Sequence, residues 1–146
     1  MPTRRSLLFM LALLLAAPSV LADAGGPADP VRVALQLSDH DPIRQSMVLS
    51  VANNLVNHYG ADHVDVEVVA FGPGLTLLRD TSQFAQRVTA LSESQGVRFS
   101  YCEITVDSME QREGQRPRLL PVAQATPSGA VRIIDLVAEG YTHIAP

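Results

Sequence analysis

Short apolar runs alternate with amphipathic stretches along the chain, and the alternation begins at residue 31. VRVALQL (31–37) has the pattern of a buried strand, and Asp41 and Pro42 then suit the N-cap and first turn of a helix that ends at Gly60. The predicted buried stripe of this helix contains Ile43, Met47, Val51 and Leu55, widened by Val48, Ala52 and Val56. A strand is therefore followed by a helix with one broad buried face.

The same alternation continues to the end of the chain. VDVEVVAF (64–71) predicts a second strand, whose Asp65 and Glu67 favour a place near a sheet edge. The next patterns predict a helix marked by Phe84, Val88 and Leu91, a strand over 97–101, and a polar helix over 107–113 with Asp107 and Glu110 at capping-box spacing. A strand over 119–125 follows, in which Pro121 favours either the start of the strand or an edge position. A helix over 130–139, capped by Ser128, and a strand over 141–145 complete the chain. This order is typical of a mainly parallel five-stranded sheet with helices on both faces.

The N-terminal residues have the character of a signal peptide. Two arginines precede an apolar run over residues 7–17, and small residues follow. We predict cleavage after Ala22 or Ala24; an uncleaved anchor is the alternative, although the run is shorter than the roughly 20 residues of a bilayer span. Either the Sec or the twin-arginine route would fit. The chain then divides into a signal peptide (1–22), a flexible leader (23–30) and one domain (31–146) of a periplasmic or secreted protein.

The charge balance excludes two classes of partner. All 11 basic residues are arginines, of which Arg4 and Arg5 belong to the predicted signal, against 15 acidic residues. Nucleic acids and anionic membranes require clustered basic charge. The one group of neighbouring arginines, at positions 112, 116 and 118, lies among glutamates. We therefore expect no nucleic acid partner and no membrane partner after signal cleavage.

Cys102 is the only cysteine, and it lies where the third predicted strand ends. The carboxyl ends of parallel strands border the ligand crevice, and a helix N-terminus there lowers the pKa of a thiol. A single thiol excludes an intramolecular disulfide, a CxxC pair and a cysteine zinc cluster, but it can act as a nucleophile or carry a sulfane sulfur as a persulfide. The alternative is a buried thiol that serves as a small apolar side chain.

The first crevice loop, residues 38–42 after the first predicted strand, holds three further candidates. His40 is the histidine placed to assist the thiol as a catalytic group, and its alternative is a solvated loop residue. Ser38 and Asp39 precede it in the same loop and are candidate ligand-binding residues. The other histidines show no metal-ligand spacing, so we predict no metal and no cofactor.

Two glycine-containing turns complete the candidate ligand-binding residues. Gly72 and Gly74 would let a ligand approach the backbone closely, or they only form a tight turn. Ser128 and Gly129 could bind an anion at the N-terminus of the last helix, or they only cap that helix.

Three segments, taken in order, carry a resemblance to a known family. They are VALQLSDHDPIRQSMVLSVANNL, VVAFGPGLTLL and GVRFSYCEIT with LLPVAQATPSGAVRIIDLVAEGYTHIAP. Together they resemble the DsrE/DsrF-like sulfur-relay proteins, which include TusD, and in particular an exported single-domain branch. The resemblance implies a flavodoxin-like three-layer α/β/α sandwich, assembly as trimers or hexamers, and a persulfide-carrying cysteine just after the third strand, which is the position of Cys102.

We therefore predict an exported sulfur carrier or sulfurtransferase-like protein in which Cys102 accepts sulfur from a donor protein and passes it to an acceptor. Two alternatives stay open: a non-catalytic oligomeric module that binds a small ligand while Cys102 is structural, and an assembly subunit that needs a partner chain. The last helix is apolar on more than one face. Either the sheet buries it deeply, or it also faces another subunit of a homo-oligomer.

Overall fold

Five parallel strands form a single sheet in the computed structural model, which describes residues 29–146. The strands are β1 (Val31–Leu37), β2 (Val64–Ala70), β3 (Arg98–Cys102), β4 (Ala123–Thr126) and β5 (Thr142–Ile144), in the spatial order β4-β3-β2-β1-β5. All four neighbouring pairs run parallel. The predicted signal peptide and all but the last two residues of the predicted leader lie outside the described residues.

Helices cover both faces of this sheet. They are α1 (Pro42–Tyr59), α2 (Ala85–Gln95), α3 (Glu103–Glu113) and α4 (Gly129–Ala138), with a short 3-10 helix at Gly72–Leu78. The helices α1 and α2 pack on one face, α4 packs on the other, and α3 packs against the 3-10 helix. The predicted α/β sandwich with a parallel five-stranded sheet is therefore confirmed. Within the described part of the chain, no helix combines the length and the hydropathy needed to cross a membrane.

The face of the sheet beneath α1 and α2 is a continuous apolar core, which we call the apolar face. Alternate residues of each strand point to it, because side chains of a strand alternate between the two sides. Phe99 lies at its centre and is fully buried. Its main contributors are Val33, Leu35, Leu37, Val64, Val66 and Val68 of the strands, Val48, Leu49, Ala52 and Val56 of α1, and Val88 and Leu91 of α2.

The opposite face, beneath α4, carries ionised side chains as well as apolar ones, and we call it the charged face. Asp65 and Glu67 of β2 lie there beside Arg98 of β3, while Ile133 and Leu136 of α4 supply the apolar contacts. The prediction that β2 lies near an edge was wrong, since β2 runs between β1 and β3. Its acidic residues do not mark a solvent edge, because arginines pair with them.

The predicted N-cap of α1 is confirmed, but its predicted stripe is rotated. Asp41 accepts the backbone N–H of Ile43 at 2.8 Å. The buried positions are centred on Leu49 and Ala52, whereas Ile43 is 72% and Met47 44% exposed. A run with a spacing of four advances about 40° further around the helix at each step, so its first members lie at the margin of the face.

One predicted helix start was wrong, and one predicted cap lacks its side-chain hydrogen bond. The helix α3 begins at Glu103, not at Asp107, because Val106 and Met109 gain an apolar contact with Leu75 of the 3-10 helix. Ser128 occupies the N-cap position of α4, but its side chain makes no capping hydrogen bond. The fourth strand, predicted over 119–125 with Pro121 at its start or at an edge, is an outer strand that begins only at Ala123, two residues after Pro121.

Candidate functional site

Cys102 is at once the last residue of β3 and the N-cap residue of α3, without an intervening loop. Its backbone is extended (φ −82°, ψ 118°), and helix begins at the next residue. The first N–H groups of a helix have no partner within that helix, and here they face the sulfur. The side chain itself is buried, with 5% of the residue exposed.

Hydrogen-bond donors, not only apolar groups, surround this sulfur. Burial by itself would raise the pKa of the Cys102 thiol, but the hydroxyl of Thr105 and the backbone N–H groups of Gly129, Thr105 and Ile104 outweigh burial and lower it. The donors come from two helices, because Gly129 is the first residue of α4. The arrangement favours the thiolate over the thiol.

Thr105 connects the thiol to the turn that follows β2. Its Oγ1 accepts the backbone N–H of Gly72 at 2.9 Å, which leaves the hydroxyl proton free to point to the sulfur. Gly72 reaches this position with a positive φ of 53°, a conformation that favours glycine. Sequence reasoning missed Thr105; the signal was its place three residues after Cys102, at the N3 position where side chains reach back to a helix cap.

The loop before α4 brings its glycine onto the thiol. A Cβ at Gly129 would lie 2.7 Å from the Phe71 side chain, so only glycine allows α4 to start this close to β2. Cys102 pairs with Thr126 of β4, three residues before Gly129, and the N–H of Gly129 is one of the groups that lower the pKa of the Cys102 thiol. Ser128 accepts the Arg132 N–H through its carbonyl oxygen. The predicted anion-binding turn therefore adjoins the thiol itself.

His40 lies on the surface of the first crevice loop. Its ring is 77% exposed, and Nδ1 is 3.9 Å from the Asp39 carboxylate. Among the hydrogen bonds of residues 29–146, none joins His40 to Cys102. Asp39 accepts the backbone N–H of Asp41 at 2.8 Å, so Asp39 organises the loop ahead of α1.

Ser38 and Gly74 lie where two crevice loops touch. A Cβ at Gly74 would fall 2.2 Å from the carbonyl oxygen of Leu37, so this glycine is needed for loop packing. The Ser38 hydroxyl faces the side-chain amide of Gln36 at 3.5 Å. At Gly74 the backbone that approaches closely is therefore that of Leu37, a segment of the protein itself.

An open cleft of about 680 Å³ lies between the first crevice loop, the 3-10 helix and α3. Thr105 belongs both to this cleft and to the surroundings of the thiol. The lining combines one arginine and one histidine with neutral groups: His40, Gly72, Pro73, Thr76, Ile104, Thr105, Ser108, Gln111 and Arg112. In residues 29–146 no group of histidine, cysteine and carboxylate side chains is suited to hold a metal ion.

These features define a class: an α/β sandwich with one buried thiol, its pKa lowered by neighbouring donors, at the carboxyl end of an inner strand. The DsrE/DsrF-like family profile matches residues 32–146, and the chain belongs to this family. Family membership associates the chain with sulfur relay. The solved structure of MTH1491, a protein of unknown function from Methanobacterium thermoautotrophicum, is 30% identical and superimposes with a TM-score of 0.70, covering 80% of this chain and 99% of that one. No curated protein matches the chain.

Proposed function

We propose that this protein is an exported sulfur carrier in which Cys102 takes up a sulfane sulfur as a persulfide. The observation that supports it most is the set of four donors around a single sulfur. A thiol is a weak donor and a weak acceptor, so a purely structural cysteine gains little from such a set. A thiolate or persulfide anion gains a charge-assisted hydrogen bond from each donor.

The chemistry needs no cofactor. The Cys102 thiolate attacks the outer sulfur of a donor persulfide, R–S–SH, and a new S–S bond forms as the donor S–S bond breaks. The donor leaves as the thiolate R–S⁻, and Cys102 becomes Cys–S–SH, so charge, protons and electrons balance. A thiolate of an acceptor protein then takes the outer sulfur in the same way. The low exposure of the sulfur limits its irreversible oxidation between the two steps.

Export and self-association belong to the same proposal. The N-terminal arginines, the apolar run and the small residues after it support delivery to the periplasm or the exterior. The α4 stripe of Val131, Ile134 and Val137 is 52%, 66% and 48% exposed, so the sheet does not bury it. A homo-oligomer would cover this stripe. We expect Ile134→Asp to lower the assembly mass measured by light scattering, whereas Asp135→Asn, beside it, leaves the mass unchanged; a wild-type monomer would contradict this part.

Sulfur loading of the mature protein tests the central claim. We expect incubation with polysulfide to add one sulfur atom, removable by a reductant and visible in the intact mass. Cys102→Ser should lose the gain and keep the fold, as judged by circular dichroism. Thr105→Val, a change of similar shape without the hydroxyl, should load more slowly. A folded wild type that gains no sulfur, or a Cys102→Ser protein that still does, refutes the proposal.

The cleft beside Thr105 supports a second candidate, a module that binds a small ligand while Cys102 is structural. Its volume suits a small organic molecule, and Arg112 and His40 in its lining favour an anion. Ellman's reagent separates the two candidates. A thiol that reacts in the folded protein supports the sulfur carrier, and one that reacts only after denaturation supports the binding module. Co-purification of a second exported protein would point instead to an assembly subunit.

A further inference from the structure

A buried ion pair joins α4 to the middle of the sheet. Glu67 of β2 is 1% exposed. Its two carboxylate oxygens accept Nε and Nη2 of Arg132 at 2.8 and 2.7 Å, the bidentate geometry that fixes direction as well as distance. Ser100 donates to the same carboxylate at 2.7 Å, and Nη1 of Arg98 lies 2.6 Å from it. Glu67 is therefore held from β3, and it holds α4 in turn.

The remaining anchors of α4 are few. Ile133 and Leu136 are the side chains that the helix buries on the sheet, and its outer stripe is exposed. Gly129 lies against the Phe71 side chain, but it has no side chain of its own to anchor the helix. Apolar contacts resist lifting of a helix but allow it to slide or turn, whereas a bidentate pair does not. Arg132 is thus the directional anchor of the first turn.

We propose that the Arg132–Glu67 pair positions the first turn of α4 so that the Gly129 N–H stays directed at the Cys102 sulfur. Arg132 follows Gly129 by three residues, so the two are joined by a single helical turn that moves as a unit. Both partners are positioning residues, since the groups that face the sulfur are on Thr105, Ile104 and Gly129. The inference deepens the proposed function, because it explains how the thiolate of a sulfur carrier is maintained.

A direct effect of charge is the rival explanation, and the two differ in sign. Loss of a positive charge at Arg132 would raise the thiol pKa, and loss of a negative charge at Glu67 would lower it. Positioning predicts that either loss raises the pKa, because either one releases the first turn. Glu103, the carboxylate that follows Cys102 in sequence, pairs with Arg116 and is the same in every variant.

The experiment compares Arg132→Gln and Glu67→Gln with Arg98→Gln in the mature protein. Arg98 is the matched control, because it contacts the same carboxylate but belongs to β3 and is also held by Asp65 at 2.9 Å. The thiol pKa is read from the pH dependence of the iodoacetamide alkylation rate, and stability from urea unfolding. The loss of one hydrogen bond to the thiolate raises the thiol pKa by about one unit. At a pH below the pKa this rise lowers the alkylation rate roughly tenfold, because less of the thiol is ionised.

We expect both Arg132→Gln and Glu67→Gln to raise the thiol pKa, Arg98→Gln to change it less, and Arg132→Lys to restore part of the rate. Opposite shifts for the first two variants would establish a direct charge effect and overturn the inference. Lower stability with an unchanged thiol pKa would also overturn it. If Arg132→Gln does not fold, Glu67→Gln alone decides, because only positioning predicts that its thiol pKa rises; an unchanged or lowered pKa counts against positioning. This experiment does not measure sulfur loading. A wild type that fails to load sulfur therefore refutes the proposed function, but it leaves the comparison of thiol pKa values unchanged.

Discussion

The apolar face and the charged face share the same three inner strands, yet different forces hold helices on them. On the apolar face, Phe99 and its neighbours are packed by apolar side chains of α1 and α2, and Arg87, an ion that joins these helices, binds the neutral hydroxyls of Ser46 and Ser50. On the charged face, one helix covers the sheet. Glu67, paired with Arg98 and Arg132, is buried there among the apolar side chains. Apolar packing is not directional, whereas hydrogen-bonded ion pairs are.

The difference indicates a division of roles between the faces. The apolar face supplies most of the stability, since burial of apolar area is the dominant favourable term in folding. The charged face gives less stability, because ion pairs lose hydration when they are buried. Its directional hydrogen bonds fix the position of α4 instead. The thiol lies at the end of this face, two residues after Ser100 on β3.

Removal of the central aromatic ring should have the largest effect on stability. We expect Phe99→Ala to lower the free energy of unfolding by about 3–5 kcal/mol, because it loses buried area and leaves a cavity. Urea unfolding at pH 7 measures it. The matched control is Ile43→Ala, whose side chain is 72% exposed and should change stability by less than about 0.5 kcal/mol. Similar losses in the two variants would contradict the assignment of the core.

Deletion of the buried carboxylate should have the next largest effect. We expect Glu67→Ala to cost about 2–3 kcal/mol, less than a fully enclosed pair would, because Arg98 and Arg132 are 34% and 24% exposed and can regain some water. Glu67→Gln keeps the shape and should cost less. A loss as large as that of Phe99→Ala would show that the charged face supports the fold as strongly as the apolar one.

Acid should weaken the charged face before the apolar one. Burial would raise the pKa of Glu67, but hydrogen bonds from Arg132 and Ser100 and the charge of Arg98 hold it below its usual value. The Glu67 carboxylate therefore binds a proton more weakly in the folded state than in the unfolded chain, where its pKa is about 4.3. The stability that Glu67 adds is fully present above that pH and is lost as the pH falls through the lower pKa of the folded state. Urea midpoints between pH 7 and pH 3 should fall more for the wild type than for Glu67→Gln; parallel curves would argue against this linkage.

The outer end of the charged face should give the smallest effect. The Tyr141 hydroxyl donates to Asp65 and accepts from Nη2 of Arg98 at 2.7 Å. We expect Tyr141→Phe to cost about 1 kcal/mol, the usual net value of such bonds. Tyr59→Phe, at a residue that is 41% exposed, is the control and should be neutral. If Tyr141→Phe leaves the free energy of unfolding unchanged, the stabilising part of this hydrogen-bond network is limited to Glu67 and its partners.

Periodicity predicted the elements well where local signals and burial agree. The Asp41 cap, the helix ends at Gly60 and Gly96 and the parallel sheet were all found as expected. The error about the position of β2 in the sheet comes from compensation by distant residues. The acidic residues of β2 indicated an edge because their partner arginines, Arg98 and Arg132, lie 31 or more positions further along the chain.

The candidate site was predicted less completely than the fold. Cys102 was found from its place at the end of β3, since a unique residue needs no partner to be noticed. The role of Thr105 was missed because α3 starts four residues earlier than expected, and this start depends on the contact of Val106 with Leu75. His40 was considered for its neighbours in sequence, but its ring points to solvent beside Asp39.

The sequence by itself determined the order of strands and helices, the parallel sheet and the place of the single thiol at its carboxyl end. These follow from hydrophobic spacing and caps, which act over a few residues. Only the tertiary structure decided what faces that thiol, because Thr105 and Gly129 belong to two different helices and Gly72, from a third segment, binds the Thr105 hydroxyl. It also decided that Glu67 is buried, since a carboxylate is buried only where arginines from other elements neutralise it.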